Sequence, residues 1–310
     1  MQTSSALETR AIGSLQVTVV GLGCNNFGWR IDDQVAAEVV DAAIAAGINF
    51  FDTADIYGEG RSEEFLGRAL GVRRHEVVVA TKFGMKMDDE RQGAHPEYIR
   101  RAAEDSLRRL NTDYIDLYQL HTPDPQTPIA DTLSALNDLV KAGKVREIGC
   151  SNVTAQQLRE ASEAVRPGAA RFVSVQNHYS LYYREPEAEV LSECVRQGIA
   201  FIPYFPLENG LLTGKYRPGD PLPSDSRAAA GFGPKVFTEQ HLRWAERLRQ
   251  FADRRRHTLL QLAVSWLAAQ PAVASVIAGA KTPEQVRENA CAAPWKLTRS
   301  EMDEVESIRP

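Results

Sequence analysis

Four side chains of unlike chemistry recur at one kind of place in this chain, just past an apolar run. Asp52 and Tyr57 follow one such run, Lys82 closes Val78-Val79-Ala80-Thr81, and His121 closes Leu117-Tyr118-Gln119-Leu120. An acid, a phenol, an ammonium and an imidazole brought to one site suit proton donation to a carbonyl oxygen. A free tyrosine has a pKa of about 10, too high for easy ionisation near neutrality. A neighbouring ammonium favours the phenolate and lowers that value. Lys82 is therefore expected to bring Tyr57 down, with Asp52 paired to Lys82 and His121 orienting the oxygen. Acid–base assistance of this kind typically contributes about 10²–10⁴-fold. No nucleophilic triad and no metal-ligand cluster accompanies the four, so a tyrosine acid implies a hydride brought to the carbonyl carbon by a cofactor. Singly, each residue has an ordinary role: the Asp a helix cap, the Lys solvated, the His structural. Their meaning comes from sharing one rim.

The elements that must place them there alternate along nearly the whole chain. Apolar runs predict strands over 15–20, 48–51, 77–80, 114–119, 145–149, 172–175, 199–203 and 275–277. Helical spacing predicts helices over 32–46, 61–70, 96–109, 128–141, 154–165, 186–196, 238–254, 258–269 and 283–290. Gly47 suits the residue just past the first helix, and Thr127-Pro128 places a cap before a first-turn proline. Thr154-x-x-Gln157, Thr258-x-x-Gln261, Thr282-x-x-Gln285 and Thr298-x-x-Glu301 have capping-box spacing. Alternating βα units with continuously apolar strands mean a parallel sheet. The open, doubly wound sheet should carry G-x-G-x-x-G after its first strand. The loop over 21–29 begins Gly21-Leu22-Gly23-Cys24-Asn25-Asn26 and lacks the third glycine. Eight units suit a closed (β/α)8 TIM barrel, a single domain over 1–310, with its active site at the C-terminal ends of the strands. Residues 207–234, rich in Gly, Pro and Ser, form a long loop after strand 7.

Composition narrows the partners. A net charge of −5 over 310 residues leaves no basic stripe for nucleic acid. Residues 1–10 lack the apolar core of a secretory leader, and no apolar run is long enough to span a membrane. Cys24, Cys150, Cys194 and Cys291 are widely spaced, which suits reduced thiols and a cytoplasmic protein.

Gly47-Ile48-Asn49-Phe50-Phe51-Asp52-Thr53-Ala54-Asp55-Ile56-Tyr57-Gly58, followed by Gly60 and Ser62-Glu63, closely resembles the signature of the aldo-keto reductase family. The resemblance continues through Ala80-Thr81-Lys82, the run 116–121 and Gly143-Lys144-Val145-Arg146, and covers about residues 8–305. It implies a catalytic tetrad of Asp52, Tyr57, Lys82 and His121. It also implies that Ser151, Asn152 and Gln176 hold a nicotinamide carboxamide and that Tyr204 stacks on the ring. The loop with Leu207, Gly210 and Leu212 would close over the pyrophosphate. Gly279, Lys281 and Thr282 lead into a capped helix N-terminus suited to phosphate. Lys281 would meet an adenosine 2′-phosphate, and Gln285 and Asn289, one helical turn apart, would face the adenine.

NADP (NADPH) is the expected cofactor, with NAD also compatible, and a small carbonyl or alcohol is the expected substrate. Asn25 and Trp29 stand in the first βα loop, which in the family lines the substrate pocket. Trp29 suits either stacking on a sugar or aromatic substrate or plugging that loop. Phe205 stands where the family often has serine, which removes a hydroxyl and adds bulk. The implied activity is reduction of aldehydes or ketones with Tyr57 as general acid. Alternatives are the dehydrogenase direction on sugars or alcohols, and a cofactor-binding sensor with little turnover.

Overall fold

Parallel strands buried on both faces read as unbroken apolar runs, and that is how the sheet of this chain is built. The computed structural model describes residues 7–221, 229, 231 and 235–308. Its eight-stranded sheet consists of β3 (Val20–Gly23), β4 (Phe50–Asp52), β5 (Val78–Phe83), β6 (Ile115–Leu120), β7 (Val145–Ser151), β8 (Phe172–His178), β9 (Ala200–Tyr204) and β10 (Val276–Gly279). From β3 to β9 each pairs in parallel with the next, and β10 returns to pair with β3. Between β9 and the segment entering β10, Phe201 N–H donates to Ala272 O at 2.7 Å and Ala274 N–H to Phe201 O at 2.9 Å, which closes the ring. Residues of β4, β5 and β6 are buried throughout.

Helices alternate with the strands as the spacing predicts. They are α1 (Asp33–Ala45), α2 (Arg61–Leu70), α3 (Pro96–Leu110), α4 (Ile129–Lys141), α5 (Ala155–Ala164), α6 (Val190–Gln197), α7 (Glu239–Asp253), α8 (Leu259–Ala268), α9 (Pro283–Ala290) and α10 (Arg299–Ser307). Thr154, Thr258 and Thr298 each form the reciprocal capping box with Gln157, Gln261 and Glu301. Gly47, two residues beyond α1, takes φ +82° and ends that helix. Pro128 is itself the residue before the first turn of α4, one position earlier in the helix than expected.

The start of the chain differs from expectation. The run over 15–20 is not the first barrel strand. Thr9–Ile12 (β1) and Leu15–Thr18 (β2) pair as an antiparallel hairpin across Gly13-Ser14, and the barrel begins at Val20. Ile12, Leu15 and Val17 pack with Phe50, Val78, Leu117 and Ile202 inside the barrel, so the hairpin plugs the end where strands begin. The first three residues of the expected loop over 21–29 are therefore strand. The expected helix over 186–196 is divided into a short turn, Glu185–Glu187, and α6. The loop over 207–234 begins with the turn Glu208–Thr213, and its residues 222–228, 230 and 232–234 lie outside the described residues. Among the described residues no helix is long and apolar enough to cross a membrane.

Strands β5 to β8 run one to three residues past their expected ends. Lys82 consequently lies within β5, not after it, and Gln176, expected to end its strand, lies inside β8.

Candidate active site

Asp52 ends β4, and its carbonyl accepts the N–H of Cys24 at 2.8 Å, which ties the first loop to the second. The following turn is clamped to β5: Thr53 N–H donates to Ala80 O at 2.8 Å and Asp55 N–H to Lys82 O at 3.1 Å. Tyr57 opens a turn that continues through left-handed Gly58. A Cβ at Gly58 would meet Phe27 O at 3.0 Å, so only glycine lets the two loops approach. Asn26 Nδ2 donates to Ala280 O at 3.1 Å and joins the first loop to the last.

The four expected residues come together. Lys82 Nζ donates to Asp52 Oδ1 at 2.6 Å and to Thr53 O at 2.8 Å. It lies 5.1 Å from the centroid of the Tyr57 ring. His121, fixed by its N–H to Phe83 O at 2.8 Å, presents its ring edge-on to Tyr57 at 5.9 Å and 82°. His121 Nδ1 is buried and has no hydrogen-bond partner among the described residues. Asp52, Tyr57 and His121 line a cavity of about 850 Å³, and Lys82 lies fully buried behind them.

Burial dominates the electrostatics. Withdrawal from water raises the Tyr57 phenol, and the opposing pull of Lys82 does not cancel it. The expectation of a lowered tyrosine is thus corrected: Lys82 acts in the expected sense, but burial and Asp52 outweigh it. The phenol stays protonated at neutral pH, as a donor must. Burial works against the Lys82 ammonium, yet Asp52 and Tyr57 hold its pKa above the usual lysine value. Burial, then Lys82, pushes His121 down to about 3, so the imidazole is neutral.

A second group forms a ledge beside the first. Ser151 Oγ donates to Gln176 O at 2.6 Å. Asn152, at φ +58°, donates from Nδ2 to His121 O at 2.9 Å and accepts the Tyr204 hydroxyl at 2.8 Å. Gln176 Nε2 donates to Asp52 Oδ2 at 2.8 Å. Gln119 Nε2 approaches the same oxygen at 3.3 Å. Sequence reasoning missed Gln119, although it stands two residues before His121, the spacing that puts both on the inner face of one strand.

The remaining expected residues divide. Leu207, Gly210, Gly279, Lys281, Gln285, Asn289 and Asn25 line the cavity. Leu212 is fully buried, with its N–H donated to Leu207 O at 3.2 Å. Thr282 caps α9 from outside the cavity wall, accepting the Gln285 N–H at 3.3 Å. Gln285 does not complete the capping box, because its Oε1 takes the Lys281 N–H at 2.8 Å. Trp29 is 52% exposed and is not part of the cavity wall; the Arg30 guanidinium lies 4.7 Å over its ring. Phe205, the departure from the family noted in the sequence, lines the wall; Arg30, Met85 and Lys215 do so without having been singled out.

A dinucleotide suits this cleft. Its wall offers a flat tyrosine ring beside a hydroxyl–amide ledge, left-handed Asn209 and Gly210 in a turn, and the ammonium of Lys281. The first loop packs closely on the end of β10: a Cβ at Gly279 would meet Asn25 Oδ1 at 3.2 Å.

Comparison with known proteins agrees with the fold. Residues 19–310 match the model of the Aldo/keto reductase family. The chain is 36% identical over 309 residues to the uncharacterized oxidoreductase YqkF of Bacillus subtilis, covering 97% of this chain and 96% of that protein. It is 35% identical over 309 residues to a probable voltage-gated potassium channel subunit beta of Arabidopsis thaliana, covering 95% of this chain and 93% of that protein. The structure of the glycerol dehydrogenase AKR11B4 from Gluconobacter oxydans superposes with a TM-score of 0.84 at 30% identity, covering 99% of this chain and 95% of that one.

Proposed function

The chain belongs to the aldo/keto reductase family and is an oxidoreductase of carbonyl and alcohol groups, and from that premise we propose that it is an NADPH-dependent reductase of aldehydes or ketones with Tyr57 as general acid. The observation that carries this reading is the convergence of Tyr57 and His121 on one cavity, in front of the buried Lys82–Asp52 pair. When bound, the reduced nicotinamide supplies a hydride to the carbonyl carbon.

The chain's own residues do the rest. Neutral His121 donates a hydrogen bond to the carbonyl oxygen and fixes its direction. Tyr57 gives its phenolic proton to that oxygen as negative charge develops there. Lys82 stabilises the phenolate that results, and Asp52 holds Lys82 charged and in place. In the reverse direction the phenolate takes the proton of an alcohol, so one arrangement serves both directions. Ser151, Asn152 and Gln176 would hold the carboxamide of the cofactor and Tyr204 the face of its ring. Lys281 at the start of α9 would pair with a 2′-phosphate, which favours NADPH; NADH fits the same cleft without that pair.

The test is consumption of NADPH absorbance over a panel of sugar, short-chain, steroid and aromatic carbonyls. Turnover by the wild type, lost in Tyr57→Phe with cofactor affinity nearly intact, is expected. Tight NADPH binding with no carbonyl consumed by the wild type would favour a sensor and overturn the reading.

A further inference from the structure

The plane of Tyr204 is fixed from behind as well as from the cavity. β8 and β9 pair with His178 opposite Tyr204. Their rings lie within 14° of parallel, with centroids 5.4 Å apart. Tyr183 stacks more closely on His178, at 4.0 Å and 4°. The edge of the imidazole is pinned: His178 Nε2 donates to Glu208 Oε1 at 2.6 Å. That oxygen also accepts the Ser180 hydroxyl at 2.6 Å. Ser180 Oγ in turn accepts the N–H groups of Tyr182 and Tyr183 at 3.0 and 2.9 Å. One carboxylate therefore orients the imidazole and, through Ser180, the segment that carries the ring stacked on it.

Glu208 is an improbable residue for its place unless these bonds matter. It is 1% exposed, and its φ of 45° is unfavourable for a side chain with a Cβ. A buried carboxylate at left-handed backbone persists where charge-assisted hydrogen bonds satisfy it. It also sits at the start of the turn Glu208–Thr213, whose Asn209 and Gly210 line the cleft. Neither His178 nor Glu208 lines the cavity wall.

We infer that His178 and Glu208 are positioning residues for the cofactor: Glu208 ties the turn over the cleft, through His178, to the plane of Tyr204. The covering turn and the nicotinamide platform then move as one body, and release of the cofactor requires both to loosen. The inference rests on the proposed reading of Tyr204 as that platform. The Tyr204 hydroxyl keeps its own tether to Asn152, so loss of the latch frees the tilt of the ring without freeing its tip.

Wild type, Glu208→Gln, His178→Asn and the double variant are to be compared in full-length protein. NADPH binding and release are followed by stopped-flow fluorescence quenching, with adenosine 2′,5′-bisphosphate, which has no nicotinamide half, titrated in parallel. Each single variant is expected to release NADPH roughly tenfold faster, the size of one lost charge-assisted hydrogen bond. The double variant should lose no more, and the bisphosphate affinity should hold. Equal weakening of both ligands together with a fallen Tm marks a merely structural pair and overturns the inference. Wild-type release rates in variants that still reduce aldehydes overturn it too, and leave the reductase reading standing. A wild-type protein that binds no dinucleotide overturns both.

Discussion

Lys82 and Asp52 face each other at 2.6 Å with side chains 0% and 3% exposed, so the charge beside Tyr57 is sealed from water on every side but the cavity. A pair of this kind is held in place by mutual dependence. Removing one partner strands the other charge, at a cost of about 3–5 kcal/mol, while replacing both is far milder. Asp52→Asn and Lys82→Met are each expected to lower unfolding free energy by about that amount. The double variant, without turnover, should recover part of the loss in urea titrations. Strictly additive losses would show that the two act independently.

Lys281 reads the cofactor if the adenosine end lies along α9. A charge-assisted pair to phosphate contributes about 1.5–3 kcal/mol, which corresponds to roughly ten- to hundredfold in affinity. Lys281→Ala should therefore raise the KM for NADPH by that factor and leave NADH nearly untouched. Equal effects on the two cofactors, measured by initial rates, would remove Lys281 from 2′-phosphate recognition.

What was legible in the sequence was what short-range chemistry writes. The four candidate residues lie in contiguous motifs, and three of the four spaced threonine boxes, at Thr154, Thr258 and Thr298, form in full. The hairpin was not legible, because an apolar run at 15–20 looks the same whether it plugs a barrel or joins it; the Gly13-Ser14 turn was the available signal. Strand ends were less legible, because an apolar run does not show how far pairing continues past it: Lys82 and Gln176 are polar yet lie on paired backbone. The direction of the Tyr57 shift depended on how much water the fold excludes, which spacing does not state. The contact of His178 with Glu208 joins residues far apart in sequence, with no local pattern to mark it.

Gly67 tests packing against propensity. It lies inside α2, where alanine should stabilise the helix by about 0.5–1 kcal/mol. A Cβ there would meet Leu110 O at 2.5 Å and Leu110 C at 2.6 Å, backbone atoms at the end of α3 that cannot swing aside. Overpacking of this kind costs about 1–3 kcal/mol, so the clash outweighs the propensity. Gly67→Ala is expected to lower Tm, and a raised Tm would mean that α2 and α3 can separate freely.

Two buried groups should tilt stability against pH in opposite directions. Asp55 is pushed up to about 7, by burial first and then by Glu63, and its Oδ1 has no hydrogen-bond partner among the described residues. The folded protein keeps this proton where the unfolded chain, with the ordinary value of 3.8, has lost it. The native state then binds more protons, so stability falls as pH rises from about 4 to about 7, by roughly 1.4 kcal/mol per unit for this group. His121 does the reverse. Its folded value of about 3 lies below the ordinary 6.5, so between these the unfolded chain binds the extra proton and stability rises with pH. The windows overlap from 3.8 to 6.5, and the two slopes nearly cancel there in the wild type. Relative to wild type, Asp55→Asn should therefore gain stability with rising pH across this range, and His121→Phe should lose it. Urea midpoints at pH 4.5, 5.5 and 6.5, converted with a common slope, measure both. Parallel curves for all three proteins would show that neither group carries a shifted proton in the folded state.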